Sequence, residues 1–244
     1  MPRQVLAASD FGSISAIEDI LNRILVTGAT GFIGRNLVRA LLRQGLQVRV
    51  LVRPTSNLAV LPTGDIEIAN GVLPDRSGIA AALHEVDGVI HLASLLKAPW
   101  KKEFTSVNVE GSSTIAQACA EQRRPPVMVQ VSSLAAAGPS RSGEPLREGD
   151  CDYPVSQYGR IKRQSELIVR QHANHVPISV VRPPMVLGGD DPASLPLFKS
   201  ISRGFHVLPA RDAMTVSAIH VQDLVNALIR ILVAGERLTA DGSG

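Results

Sequence analysis

The sequence predicts an α/β protein: a doubly wound parallel sheet with helices on both faces and a small, shortened C-terminal region. Three observations lead there. From Arg23 onward, short apolar segments alternate with amphipathic ones, as strand–helix–strand units require. The apolar segments are rich in Val, Ile and Leu and lack alternating polarity, which marks strands covered on both faces. Aromatic residues make up only 3% of the 244-residue chain, so its core must be aliphatic.

The elements follow in order. Residues 1–22 form a leader in which Ile14, Ile17, Ile20 and Leu21 recur at helical spacing, with no function legible in it. Ile24-Leu25-Val26 is a first strand that ends in a glycine-rich turn. Residues 32–44 carry Phe32, Ile33, Leu37, Val38, Leu41 and Leu42 on a helical stripe, and Gly45 supplies a left-handed cap. Val48 to Val52 is a second strand and Ile66 to Val72 a third. A short helix is expected over 77–85, then a buried strand over Val89 to Leu92. A long helix over 103–122 should be broken or bent near Gly111. Val127 to Val131 is dense in β-branched residues and reads as a strand. The segment 138–154, rich in Gly, Pro, Ser and charge, reads as a long functional loop. Residues 157–173 form an amphipathic helix, and Ile178 to Val181 a strand stopped by Pro183-Pro184. Helices are expected over 194–203 and 221–234, and periodicity is lost from Thr239 to Gly244.

Composition narrows the function. Apolar residues are 45% and charged residues 19%, a globular balance in a chain long enough for one large domain. The net charge of +3 is scattered, densest at Lys101-Lys102 and Arg123-Arg124, with no basic stripe interleaved with aromatics. Nucleic-acid binding is therefore not expected. Cys119 and Cys151 have no short metal-type spacing, and His84, His172, His175 and His206 lack partners for one, so no metal site is expected. Two cysteines make no disulfide framework, which favours a reducing, cytoplasmic setting. No apolar run reaches the roughly 18 residues of a membrane span. Val5 to Ala8 is too short for a signal-peptide core.

Two motifs carry chemistry. In Thr27-Gly28-Ala29-Thr30-Gly31-Phe32-Ile33-Gly34, three glycines sit between a strand and a helix. Gly28 permits a tight turn, Gly31 admits a pyrophosphate to the backbone N–H groups, and Gly34 lets helix and strand pack closely. The helix N-terminus adds unpaired donors and partial positive charge. Thr30, Phe32 and Ile33 complete this cofactor-binding turn. Tyr158 and Lys162 lie four apart on one face of a helix. A free phenol has a pKa near 10, and a neighbouring ammonium favours the phenolate. A shift of about two or three units corresponds to roughly 3 to 4 kcal/mol. Ser132 and Ser133 end the fifth strand, where ligands of doubly wound sheets bind, and Leu92-Ala93-Ser94 end the fourth and should line the cofactor.

Together these segments resemble the short-chain dehydrogenase/reductase superfamily, in its extended NAD-dependent epimerase/dehydratase branch. The resemblance runs in order through Ile24 to Gly34, Val89 to Ser94, Asn108-Val109-Glu110-Gly111, Val131-Ser132-Ser133, Tyr158 to Lys162, Val181-Arg182-Pro183-Pro184 and Ile219 to Asp223. It implies a Rossmann fold that binds NAD or NADP. It implies Tyr158 as general acid/base, Lys162 as its partner and holder of the nicotinamide ribose, and Ser133 as donor to the substrate oxygen. Ser132 is then a satisfied serine at the start of a loop. Asn108 should bond backbone, Pro183 should sit by the nicotinamide amide, and His220 and Asp223 should be structural. Val72 replaces an acidic residue that many relatives place near the adenine.

The cofactor choice turns on the end of the second strand. Val52 stands where NAD-preferring relatives carry Asp, and Arg53 follows with Thr55 and Ser56. A guanidinium there can pair with the extra phosphate. NADP is favoured, and NAD stays open. On this division 23–185 is the cofactor domain and 186–244 the small substrate region, with 216–234 returning to the core. Relatives of the branch run further past this point. The expected function is hydride transfer between nicotinamide and a small-molecule secondary alcohol or ketone. The run Ser132 to Pro139, with Ala137 where sugar-nucleotide epimerases usually carry Tyr, resembles the steroid and flavonoid reductases. A nucleotide-sugar epimerase or dehydratase is the alternative, and a non-catalytic dinucleotide-binding regulator the second; retention of Tyr158 and Lys162 weighs against the latter. A homodimer is left open.

Overall fold

The computed structural model describes residues 21–96, 100–140, 143–189, 191, 194–204 and 216–240. The leader before Leu21, His206 and the last four residues lie outside them.

Six strands form one parallel sheet: β1 (Arg23–Thr27), β2 (Gln47–Val52), β3 (Ile66–Asn70), β4 (Gly88–His91), β5 (Val127–Val131) and β6 (Ile178–Val181). Their spatial order is β3-β2-β1-β4-β5-β6, which reverses direction between β1 and β4. Ligands of such sheets sit beyond the carboxyl ends of the strands at that reversal. Among the described residues the helices are, in chain order, α1 (Phe32–Arg43), α2 (Arg76–Ala82), α3 (Lys101–Thr105), α4 (Gly111–Ala120), α5 (Gln157–Arg170), α6 (Leu195–Ser202) and α7 (Val221–Ala234). Helices α1 and α7 cover one sheet face over Ile24, Val26, Leu37, Val129, Leu224 and Leu228. Helices α2, α4 and α5 cover the other over Leu25, Ile79, Ile115, Met128, Val169 and Ile178.

Local chemistry sets the boundaries. Gly45, at φ +75°, ends α1 as expected, with Leu46 N–H returning to Leu41 O at 3.2 Å. The third strand stops at Asn70, short of Val72, and Gly71 N–H makes its last ladder bond, to Val52 O at 2.9 Å. Asp75 then caps α2 through Ser77 N–H, starting that helix one residue early and ending it at Ala82. The long helix expected over 103–122 is instead three pieces. A π turn over Ser106–Glu110 separates α3 from α4, with Gly111 N–H bonded to Ser106 O. The bend lies before Gly111, and its cause is visible. Ser112 Oγ and Ser165 Oγ both donate to Asn108 O, at 2.8 and 2.6 Å, occupying the carbonyl that a regular helical turn would use.

A two-stranded parallel ribbon, β7 (Met185–Leu187) with β8 (Ala218–His220), was not foreseen. It pins the start of α7 beside the end of the sheet, and His220 Nδ1 caps α7 by accepting from Gln222 N–H. The chain after α7 returns to the sheet edge, where Leu238 N–H bonds Ile178 O at 2.7 Å. Arg237 meanwhile donates to the last α7 carbonyls, Ile231 O and Leu232 O.

The crossing of α1 over the first turn is one of the tight backbone contacts of the fold. A methyl group on Gly34 would overlap the Gly28 carbonyl and the Ala29 backbone. Neither can retreat, because both belong to the turn. Gly34→Ala should therefore cost at least about 3 kcal/mol, far above a helix-propensity change. Urea unfolding of the two proteins checks this.

Candidate active site

The site gathers at the carboxyl ends of β1, β4, β5 and β6. The turn after β1 places Gly28 at φ +70°, and its N-terminal neighbours hold β4 close: a methyl there would lie 2.7 Å from Ala93 N. Gly31 N–H bonds Gly28 O at 3.0 Å, and Gly31 then caps α1 with no side chain and no acidic residue in the first turn. The leading N–H groups of a twelve-residue helix are thus left without a side-chain acceptor, at its positive end. This donor set and the close backbone approach fit a pyrophosphate. Phe32 and Ile33 turn their side chains to the core, so they can meet a cofactor only through backbone N–H. Leu92 and Ala93 lie against the turn. Arg53 follows β2 with an exposed side chain, in a turn closed by Ser56 N–H to Arg53 O and by Arg53 N–H to Ser56 Oγ. Val52 before it is buried in the core.

Helix α5 brings the remaining groups together. Ser156 Oγ accepts from Gly159 N–H at 2.9 Å and starts the helix. The Tyr158 phenol is partly buried, with the hydroxyls of Ser133 and Ser94 beside it. Ser133 Oγ accepts from Ala135 N–H at 3.2 Å, leaving its own proton for the phenol oxygen or a substrate oxygen. Ser94 Oγ donates to Asn108 Oδ1 at 2.5 Å, so toward the phenol it can only accept. Lys162 Nζ is buried and donates to Val131 O at 2.7 Å. Pro183 is buried at the end of β6, its carbonyl accepting from Leu134 N–H at 2.9 Å.

Two expectations change here. Burial raises the Tyr158 pKa above its ordinary value, with the bonds to Ser133 and Ser94 opposing it, in place of the lowering expected from Lys162. The ammonium is engaged by the β5 carbonyl, and the groups on the phenol are neutral hydroxyls. Burial also brings the Lys162 pKa down to about 8, opposed by Glu166. Ser132, expected to be satisfied, has a buried Oγ with no hydrogen-bond partner among the described residues. It points to the opposite side of the chain from Ser133, toward the interior, as strand alternation requires.

Two polar networks behind the site were not foreseen. His91 Nδ1 lies 2.6 Å from Thr27 Oγ1, which itself accepts from Ala93 N–H. His91 Nε2 lies 3.2 Å from Ser112 Oγ, whose proton goes to Asn108 O. The donors therefore assign the imidazole proton to Nε2, with Thr27 donating to Nδ1. Burial, with Lys162 adding to it, lowers the His91 pKa to about 3, so the ring is neutral. Asn108 closes this network on the site: its Oδ1 also accepts from Leu95 N–H, and its Nδ2 donates to Phe104 O and Leu95 O.

The second network is ionic. Arg182 donates to both oxygens of Asp152, at 2.6 and 3.0 Å, and to both of Glu166, at 2.9 and 2.6 Å. Arg163 joins Asp152 at 2.6 Å. Arg182 was visible only as part of a motif, and Asp152 only as one charge in a loop. Their signal is a pairing across 30 residues, which no local pattern reveals.

Comparison with known proteins places this geometry. Residues 24–241 match the model of the NAD dependent epimerase/dehydratase family. A ceramide reductase of Caulobacter vibrioides is 34% identical over 208 residues, covering 84% of this chain and 59% of that protein. The chain thus spans under two thirds of that reductase's length. Sterol demethylase protein B of Methylococcus capsulatus is 31% identical over 234 residues, covering 88% of this chain and 70% of that one. The Thermus thermophilus UDP-glucose 4-epimerase, solved with NAD, superposes with a TM-score of 0.74 at 26% identity, covering 87% of this chain and 75% of that one.

The buried imidazole generates a pH dependence. Unfolded, a histidine binds its proton near pH 6.5; folded, His91 does so only near 3. Between those values the unfolded chain holds the extra proton, so stability is lost as pH falls below 6.5. Urea unfolding over that range should show a shallower loss in His91→Asn than in the wild type. The ionic network predicts a larger effect: Arg182→Met leaves Glu166, 4% exposed, without its main partner, at a cost of about 3–5 kcal/mol.

Proposed function

The chain belongs to the NAD-dependent epimerase/dehydratase family, within the extended short-chain dehydrogenase/reductases, and from that premise we propose that it is an oxidoreductase interconverting an apolar ketone and its secondary alcohol. The observation that carries this reading is the gathering of Tyr158, Ser133, Ser94 and the buried Lys162 ammonium at the carboxyl end of the sheet. A nicotinamide dinucleotide supplies the hydride acceptor or donor when bound. Gly28, Thr30, Gly31, Phe32, Ile33 and Gly34 would hold its phosphates, and Leu92, Ala93, Ser94 and Pro183 would line it. Lys162 would hold the ribose hydroxyls. Arg53 would meet a 2′-phosphate, which favours NADP over NAD.

Raised by burial, the phenol stays protonated at neutral pH and is ready as a general acid. During reduction, Tyr158 Oη gives its proton to the substrate oxygen, which Ser133 holds by donating its own hydroxyl proton. During oxidation, the same oxygen takes the proton from the alcohol. Ser94 orients the phenol by accepting from it. Lys162, fixed on Val131 O, provides nearby positive charge that favours the transient phenolate.

An apolar substrate is favoured by the connections at this end of the sheet, which expose Leu96, Trp100, Met185 and Val216. The names of the ceramide reductase and the sterol demethylase component point to the same chemistry. The alternative, a nucleotide-sugar epimerase or dehydratase, draws on the fold shared with the Thermus epimerase. The domain division, 23–185 for the cofactor and 186–244 for the substrate, is part of this proposal.

Assay of purified protein with NADP(H), NAD(H), long-chain ketones and UDP-sugars separates the readings. Turnover is expected with the ketones, and epimerised UDP-sugar without net redox would overturn the reductase reading. Tyr158→Phe should lower kcat by about 10²–10⁴ with little change in KM. Arg53→Ala should raise KM for NADPH about tenfold or more and leave KM for NADH unchanged.

A further inference from the structure

We infer that the chain holds the purine of its dinucleotide without reading the 6-amino group, so that a nicotinamide dinucleotide carrying a 6-oxo purine binds as well as the adenine form, and that Val72 is the residue that sets this tolerance. The inference rests on the proposed reading that the chain binds a nicotinamide dinucleotide.

The covalent structure of the adenosine half and the order of the strands fix where the purine goes. The phosphates leave the ribose through C5′, the base sits on C1′, and the 2′ position adjoins C1′. The phosphates fit the turn after β1 and the 2′ position fits Arg53 after β2. The base therefore continues past β2, away from β1, and the next strand on that side is β3, the edge of the sheet. The connection after β3 is tied to the end of β2. Val52 pairs with Asn70 and Gly71 N–H bonds Val52 O, so Val72 leaves the ladder beside Arg53. Its side chain is 45% exposed there. Two helices hold this connection. A methyl on Gly78 of α2 would lie 2.8 Å from Asn70 O and from Gly71 Cα, and one on Gly111 of α4 would lie 3.1 Å from Leu73 Cβ.

An amino group is selected over an oxo group by an acceptor aimed at it. Val72 offers none, and the neighbouring acceptors are engaged elsewhere. The Asp75 carboxylate accepts from Ser77 N–H at 3.1 Å and from Ser77 Oγ at 3.0 and 3.2 Å. Val72 O accepts from Asp75 N–H at 2.6 Å, and Asn70 O faces Gly78. Glu67 lies toward the amino end of β3 and pairs with Arg49 at 2.7 Å. The exposed Asn70 side chain carries both an acceptor and donors, so it suits an amino or an oxo group alike. What Val72 supplies is apolar contact, which has no direction and depends on the flat ring, not on its 6-substituent. A site built to bond a polar group rejects an analogue that lacks it because its own buried groups are then left unpaired. Val72 has no such group to strand.

Calorimetric titration of the full chain with NADP and with its hypoxanthine analogue tests this without any turnover. The two dissociation constants should agree within about threefold. Val72→Asp should bind the hypoxanthine form about tenfold or more weakly than NADP, because a carboxylate accepts from the 6-amino group and repels the 6-oxygen. The added charge acts on both 2′-phosphates alike, so the ratio isolates the base. Val72→Asn, whose amide can turn either way, should keep the wild-type ratio. The inference is overturned, and the cofactor reading kept, if the wild type binds NADP and rejects the hypoxanthine form tenfold or more. It is overturned equally if Val72→Asp leaves the ratio at its wild-type value, for the base then lies elsewhere. Absence of binding by NADP, NAD and the analogue would overturn the cofactor reading itself, and the inference with it.

Discussion

The inner face of α5 fixes the position of everything around it. Tyr158, Gly159, Lys162, Ser165, Glu166 and Val169 lie along that face, and each engages a different neighbour. Gly159 lets the helix touch the Ala135 carbonyl, where any side chain would overlap it. Lys162 bonds Val131 O at the end of β5, and Ser165 bonds Asn108 O in the π turn. Glu166 holds Arg182 after β6, and Val169 closes the stripe in the apolar core. A helix docked by apolar contact alone could slide or rotate by small steps. Directional bonds from Lys162, Ser165 and Glu166, with the close approach at Gly159, allow one depth and one rotation. Tyr158 inherits its place from that constraint.

The same logic joins the glycine turn to the phenol. Thr27, at the end of β1, supports Ala93 N–H and the His91 ring, and the ring reaches Ser112 in α4. Ser112 and Ser165 meet on the Asn108 carbonyl, while the Asn108 side chain holds Ser94 and Leu95. The glycine turn, the strand-end loop and the tyrosine therefore share one polar framework. Burying a neutral histidine, a lysine and two carboxylate–guanidinium pairs is costly in isolation. Here nearly every such group has a partner. Among the described residues, Gln130 Oε1 and Ser132 Oγ of this region lack a partner, and Ser132 adjoins Ser133.

Much of this was legible in the sequence because it is local. The glycine spacing, the left-handed cap at Gly45 and the Tyr158–Lys162 spacing each act within a few residues of the chain. Strand composition was enough for the parallel sheet. What escaped was pairing at a distance. Strands β7 and β8 are three residues each and exist only because distant segments meet. Asp152 looked like loop charge until Arg182 and Arg163 surrounded it. The π turn depends on serines at 112 and 165 competing for one carbonyl, and periodicity cannot show that. The direction of the tyrosine shift was missed for a related reason. Spacing on a helix says that an ammonium is near, but not that a strand carbonyl already engages it or that burial outweighs it.

On the proposed function, this framework holds a protonated phenol that gives its proton to the substrate oxygen as a hydride reaches the ketone carbon. The most direct measurement follows the hydride itself. The protein is incubated with NADPH carrying deuterium at the transferable position of the nicotinamide and with a long-chain ketone, and the product alcohol is analysed by mass spectrometry and NMR. One deuterium on the carbinol carbon, from a single face of the nicotinamide, is the expected result. Product alcohol without deuterium, or deuterium retained in the dinucleotide while a sugar nucleotide is epimerised, would contradict it.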